Sequence, residues 1–316
     1  YWAGHPDESA GWVAKMMGDV RWQPLANGKP YPEPELTFDP ADCPIPPSYP
    51  NEPSLRKPLS HYYGSVNRMD QVVGSVLDAL AKSGLAENTI VIFLSDHGLA
   101  WELSKWSLYP AGTKTPFIIK WPAKIKAGQV DKTSIVSVVD IPPTLAELCG
   151  IGEMPVTDGY SFEPLLSGNK ENWKRSEAFS CFNYMNNDNS IETYSRDLYL
   201  KQKDYRPARA LSSSNYTYVW NGWSDGETQL PPSMGTEVSN LLKKSSSDYS
   251  ERIRFMGKRA AEEFYDIQSD PGCLNNLVGD EESRGLLNQF RGKMEAKLSV
   301  SRDHELDNYR ALLESL

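Results

Sequence analysis

The chain has 316 residues, enough for one large domain with an appendage or for two domains. Hydrophobic residues make up 39% and charged residues 24%, so a real core can be buried, and no apolar run approaches the ~20 residues of a membrane span. The net charge of -9, with no basic stripe, argues against nucleic acid as a partner, although a local cluster of cations can still hold an anionic substrate.

In chain order, residues 23–58 are dense in proline and read as a long extended surface loop. A helix follows, because Tyr62, Val66, Met69, Val73, Val76, Leu77 and Leu80 recur at helical spacing and Gly84 stops it. Thr89 to Leu94 is a continuous apolar run, which predicts a strand buried on both faces of a parallel sheet. Pro116 to Trp121 reads as a second strand. Ile135 to Val139 is a third apolar segment, leading into a short helix from about Pro142 to Cys149 with Gly150 after it. After about residue 170 the pattern changes to aromatic strands, Glu177 to Phe182 and Ala208 to Trp220, then a charged helix from about Asp280 to Leu298. The expected division is a catalytic α/β portion over 1–170 and an α+β subdomain over 171–316.

The cysteines Cys43, Cys149, Cys181 and Cys273 form no C-x-x-C pair, which disfavours zinc and leaves disulfide pairing open. The sequon at Asn215 does not decide a compartment, and the many aromatics suit either a core or a carbohydrate-facing cleft. The chain opens at Tyr1 without Met, so upstream residues are expected.

The chemistry concentrates at Ser95-Asp96-His97-Gly98, just past the first apolar strand. Ligands collect at the carboxyl ends of strands in open α/β sheets, and a carboxylate beside an imidazole there can bind a divalent cation. A plain Asx turn capped by Asp96 is the competing reading.

The surrounding pieces bear on that choice. "HYYGSVNRMDQVVGSVLDALAKSGLAENT", "IVIFLSDHG", "KWSLYPAGTKTPFIIKWP", "SVVDIPPTLAELCGI", "TDGYSFEPLLSG" and "EEFYDIQSDPGCLNNLV", in that order, resemble the sulfatase family of the alkaline phosphatase superfamily. The resemblance implies an αβα sandwich, incomplete at its N-terminus, with a smaller α+β C-terminal domain. It implies one calcium ion held on this side by Asp96 and His97, with Lys105 contacting sulfate in catalysis and binding. It places His5, in "WAGHPDE", where the family has a substrate-facing histidine, although the residues around it depart from the family pattern. "DYRPARALSSSNYTYVWN", with Arg209 as a substrate-side arginine, looks most like the heparan N-sulfatase branch. Lys114, His61 and His304 read as structural or surface residues.

The family's nucleophile is a formylglycine made within a C/S-x-P-S-R motif, and no such motif occurs here, Cys43-Pro44 included. The expectation is therefore that the nucleophile and half the calcium site lie upstream of Tyr1, and that this chain alone is inactive. The implied substrates are sulfated sugars or glycosaminoglycans, and the implied location is lysosomal, periplasmic or extracellular. The alternatives are a phosphoesterase or phosphonate monoester hydrolase of the same superfamily, and a non-catalytic relative that binds sulfated glycans.

Overall fold

The computed structural model describes residues 35–152, 154–155, 157–184, 205–230, 237–245 and 249–316. In chain order its helices and strands are α1 (Arg56–Lys82), β1 (Val91–Leu94), α2 (Pro110–Thr113), β2 (Phe117–Lys120), α3 (Ile141–Leu148), α4 (Glu163–Ser167) and β3 (Ala178–Tyr184). They continue as β4 (Arg206–Ser212), β5 (Tyr216–Asn221), α5 (Glu237–Lys244), α6 (Ser250–Gly257), β6 (Glu262–Asp266), α7 (Arg284–Val300) and α8 (Leu306–Glu314). His5 lies outside the described residues.

Two compact units emerge. The first comprises the described part of Tyr1–Ala86, together with Ala100–Glu102 and Leu230–Gly257. The expected extended loop gives way earlier than its prolines suggest. Pro40 and Pro53 each open a single 3-10 turn, and α1 begins at Arg56 with Pro58 in its first turn. Proline is compatible with that position because the first N–H groups of a helix have no intrahelical partner. Arg56 closes the loop, donating from Nη1 to the Cys43 carbonyl at 2.6 Å and from Nη2 to Asn51 at 2.8 Å. Gly84 follows the helix at φ +74, as its position predicts. The apolar stripe of α1 is less covered than expected: Met69 is 44% exposed and Val76 62%, whereas Leu55 and Leu59 at its start are fully buried.

The second unit comprises Glu87–Leu99, Leu103–Gln229 and Lys258–Leu316. Here β1 and β2 pair antiparallel, with Val91 opposite Lys120 and Leu94 opposite Phe117. The parallel pairing expected of β1 is thus corrected. The chain between the two strands, α2 included, brings β2 back alongside β1 in the opposite direction. Nor is β1 buried on both faces, since Leu94 is 37% exposed and Ile118 opposite its neighbour Phe93 is 60% exposed.

The C-terminal strands form an antiparallel sheet in the order β3-β4-β5-β6. Because side chains alternate across a strand, the sheet has two distinct faces. One carries Phe179, Leu211, Tyr218, Trp220 and Phe264 against Leu287, Phe290, Met294 and Leu298 of α7 and Tyr309 of α8. Each of those large side chains contributes about 1.5–3 kcal/mol by leaving water. Tyr309 of α8 is fully buried, and its hydroxyl donates to that of Tyr218 at 3.0 Å. The opposite face carries Phe182, Ala208, Ala210, Val219, Glu263 and Tyr265.

Asp140 locks the segment between. Fully buried, it accepts from the backbone N–H groups of Ser137 and Tyr160, both at 2.8 Å, and from Arg175 Nε at 2.8 Å and Nη2 at 2.5 Å.

Candidate active site

Strand β1 delivers the Ser95–Gly98 turn at its carboxyl end. Ser95 Oγ donates to the His97 carbonyl at 2.8 Å, which tightens the turn. His97 Nδ1 lies 2.7 Å from the Gly98 carbonyl. A carbonyl can only accept, so Nδ1 is the donor here, which leaves Nε2 as the other ring nitrogen. That nitrogen lies 3.5 Å from Asp96 Oδ2, and the Asp96 side chain is 77% exposed.

The following loop brings Lys105 back to this turn. Its N–H donates to the Leu99 carbonyl at 3.0 Å, and the residue is 9% exposed. Burial pushes the ammonium pKa below the ordinary lysine value, and the negative charge of Asp96 opposes that shift in part. A carboxylate, an imidazole and a partly desolvated cation, from Asp96, His97 and Lys105, therefore lie in one locality.

The loop is held under strain. Leu103 and Trp106, on either side of Lys105, sit at φ 69 and 59, a region that disfavours side chains bearing a Cβ and costs about 1–3 kcal/mol per residue. What sustains it is tight packing. Ser104 Oγ donates to the Ala111 carbonyl at 2.7 Å, and Ser107 Oγ to the Ser104 carbonyl at 2.8 Å. Gly98 serves space, not a left-handed turn: a Cβ there would sit 1.8 Å from the Ala111 oxygen. At Gly112 a Cβ would lie 2.1 Å from the Ser104 oxygen. Trp106, partly exposed between buried neighbours, stacks on Phe182 of β3 with ring centroids 6.4 Å apart at 29°.

Arg209 is placed elsewhere. It is 1% exposed on β4, facing the α7–α8 side, and binds Asp303 and Asn183. The sheet separates it from the Lys105 loop, which packs on the opposite face through Phe182 and Tyr265. Lys114 is exposed at the end of α2. His304 is 26% exposed between Asp303 and Glu305, with Tyr205 against its ring.

The donors fit a cation in part. An exposed carboxylate suits calcium, which prefers oxygen, whereas an imidazole nitrogen suits softer metals or hydrogen-bond duty. Among the described residues no group of three or more His, Cys, Asp or Glu side chains could hold a metal ion, so Asp96 and His97 form at most one side of such a site.

Two family models match the chain across this loop. The sulfatase model covers residues 21–151, and that of the C-terminal part of N-sulphoglucosamine sulphohydrolase covers 97–211. The chain belongs to the sulfatase family. It is 28% identical over 260 residues to an ulvan-active sulfatase of Formosa agariphila, covering 82% of this chain and 41% of that one. It is 26% identical over 258 residues to the N-sulphoglucosamine sulphohydrolase of Homo sapiens, covering 81% and 51%. The sulfatase chain thus spans about half, or less, of the length of these relatives. A solved 2-O GAG sulfatase shares the fold at a TM-score of 0.59 and 22% identity, covering 97% of this chain and 59% of that one. The mixed helix-and-sheet architecture is accordingly that of the sulfatase/alkaline-phosphatase-like folds.

Sequence reasoning missed Ser104, Trp106, Tyr109 and Gly112 as parts of the site's frame. The signal available was the run of small and aromatic residues around Lys105, which no periodicity rule interprets.

Proposed function

We propose that the protein to which this chain belongs hydrolyses sulfate esters or sulfamates of sulfated sugars, with N-sulfated glucosamine as the leading substrate. The single observation that carries this reading is Lys105, which lies near Asp96 and itself falls within the stretch matched by both sulfatase family models.

In this reading the Lys105 ammonium contacts a sulfate oxygen. Its partial burial strengthens that attraction, because charges interact more strongly where water is excluded. His97, with Nδ1 committed to the Gly98 carbonyl, directs Nε2 toward the same locality. Asp96 would hold a calcium ion, which when bound stabilises negative charge on the sulfate oxygens. The attacking group is expected to be formylglycine, for which the 316 residues contain no C/S-x-P-S-R motif. His5 remains a proposed substrate-facing residue. Arg209 is assigned to the fold, because its guanidinium is already committed to Asp303 and Asn183. A secretory-route location is part of the proposal. Among the described residues no helix is long and apolar enough to cross a membrane.

The test is a substrate panel on the full gene product: glucosamine N-sulfate, glucosamine O-sulfates, a phosphonate monoester and a phosphate monoester. Sulfate release from the sulfated sugars supports the reading. Turnover confined to the phosphorus substrates contradicts it and favours the phosphoesterase alternative, whereas glycan binding without turnover favours the non-catalytic one.

A further inference from the structure

We propose that Glu263 is a positioning residue for Lys105, acting through the phenol of Tyr109; this rests on the reading of Lys105 as the sulfate contact. Glu263 lies on β6 and is fully buried, on the sheet face away from α7 and α8. Its Oε2 accepts from Tyr109 and from Tyr265, each at 2.6 Å, and its Oε1 accepts from Asn221 Nδ2 at 2.6 Å. Burying a carboxylate is costly where a neutral side chain would pack as well. What the carboxylate adds is direction, through short hydrogen bonds strengthened by its charge.

The direction is toward the Lys105 loop. Tyr109 stands four residues after Lys105, and its ring meets Tyr265 edge-on at 6.1 Å, while the Arg259 guanidinium lies 5.3 Å from the ring. Its carbonyl accepts from the N–H groups of Gly112 and Thr113, at 2.8 and 3.0 Å, which closes α2. Between Lys105 and Tyr109, Ser107 ties back to Ser104, and Trp106 stacks on Phe182. Lys105 thus sits in a strained backbone segment pinned to the sheet at two points, Trp106 and Tyr109, and the second pin ends on a buried carboxylate. Adjacent Glu262 points to the other face, where it accepts from Tyr218 and from both Nε and Nη2 of Arg291. Consecutive carboxylates of one strand therefore tie α7 on one side and the Lys105 loop on the other.

The test is a double-mutant cycle on the full gene product, with inorganic sulfate as the probe and its dissociation constant read by calorimetry. Y109F keeps the ring and removes only the donor, so sulfate binding should weaken about tenfold, the size of one displaced hydrogen-bonded cation contact. Added to K105M, Y109F should cost nothing further, because the contact it positions is already gone. E263Q, run through the same cycle, should behave alike and serves if Y109F lowers the melting temperature too far. A Y109F penalty of equal size in both backgrounds, or none in either, overturns the inference. K105M binding sulfate as tightly as the wild type, or a wild type that does not respond to sulfate, overturns the underlying reading of Lys105 and the inference with it.

Discussion

Arg209 and Asp303 meet side-on, with Nε and Nη2 of the guanidinium donating to the two carboxylate oxygens at 2.8 and 3.0 Å. The pair joins β4 to the connection between α7 and α8, and a third nitrogen reaches Asn183 on β3 at 2.8 Å. Removing one partner of a buried pair leaves the other charge uncompensated and costs about 3–5 kcal/mol. Arg209→Met should therefore lower unfolding stability by about that amount in a denaturant titration, with the affinity for inorganic sulfate unchanged in the folded fraction. A lost sulfate affinity at full stability would return Arg209 to the substrate side.

The same pair sets a pH dependence. Burial raises the Asp303 carboxyl pKa, but the Arg209 hydrogen bonds and charge outweigh it, and the folded value lies below the ordinary one. A depressed folded pKa means that the stabilisation is fully present above the unfolded value, about 3.9, and is lost as pH falls through the folded value. The stability difference between wild type and Asp303→Asn should be constant near neutrality and shrink below about pH 4. Melting curves across that window check it.

Asp140 gathers two backbone N–H groups and the Arg175 guanidinium without solvent. Asp140→Ala would strand all of them, and each unsatisfied buried group costs about 1–3 kcal/mol. The expected outcome is loss of folded protein at 37 °C, seen by circular dichroism. Asp140→Asn should be milder, since one acceptor oxygen survives.

Gly98→Ala should disable the Lys105 loop without unfolding the C-terminal sheet. The added methyl would press on the Ala111 oxygen at 1.8 Å and the Ser104 hydroxyl at 2.5 Å, so the loop must move. Sulfate affinity should fall together with protease protection of the loop. Gly84→Ala, where nothing lies within 4 Å of the added methyl but φ is +74, should cost only about 1 kcal/mol.

Much of the fold was legible where local physics decides it. The periodic run around Val66 to Leu80, the glycine stops at Gly84 and Gly150, and the proline start of α3 each name an element with little tertiary help. The pairing of β1 with β2 was not legible, because an apolar run does not state its partner's direction. Nor was β6: Glu262 and Glu263 argue against a buried strand until their partners Arg291 and Tyr109 are seen. At the site, the ordered motifs pointed to Asp96, His97 and Lys105, which the fold brings into one locality. Arg209 could not be assigned in the same way, since Asp303, 94 residues later, is what claims it.

Whether Lys105 engages the sulfate of a sulfated sugar is decided by sulfate release from glucosamine N-sulfate, measured for the full gene product and its K105M variant. Release by the wild type is expected, with a loss of about a hundredfold or more in kcat/KM for the variant, the scale of one preorganised charge contact in a transition state. Equal rates for the two, or no sulfate release from any sulfated sugar by the wild type, would contradict that role for Lys105.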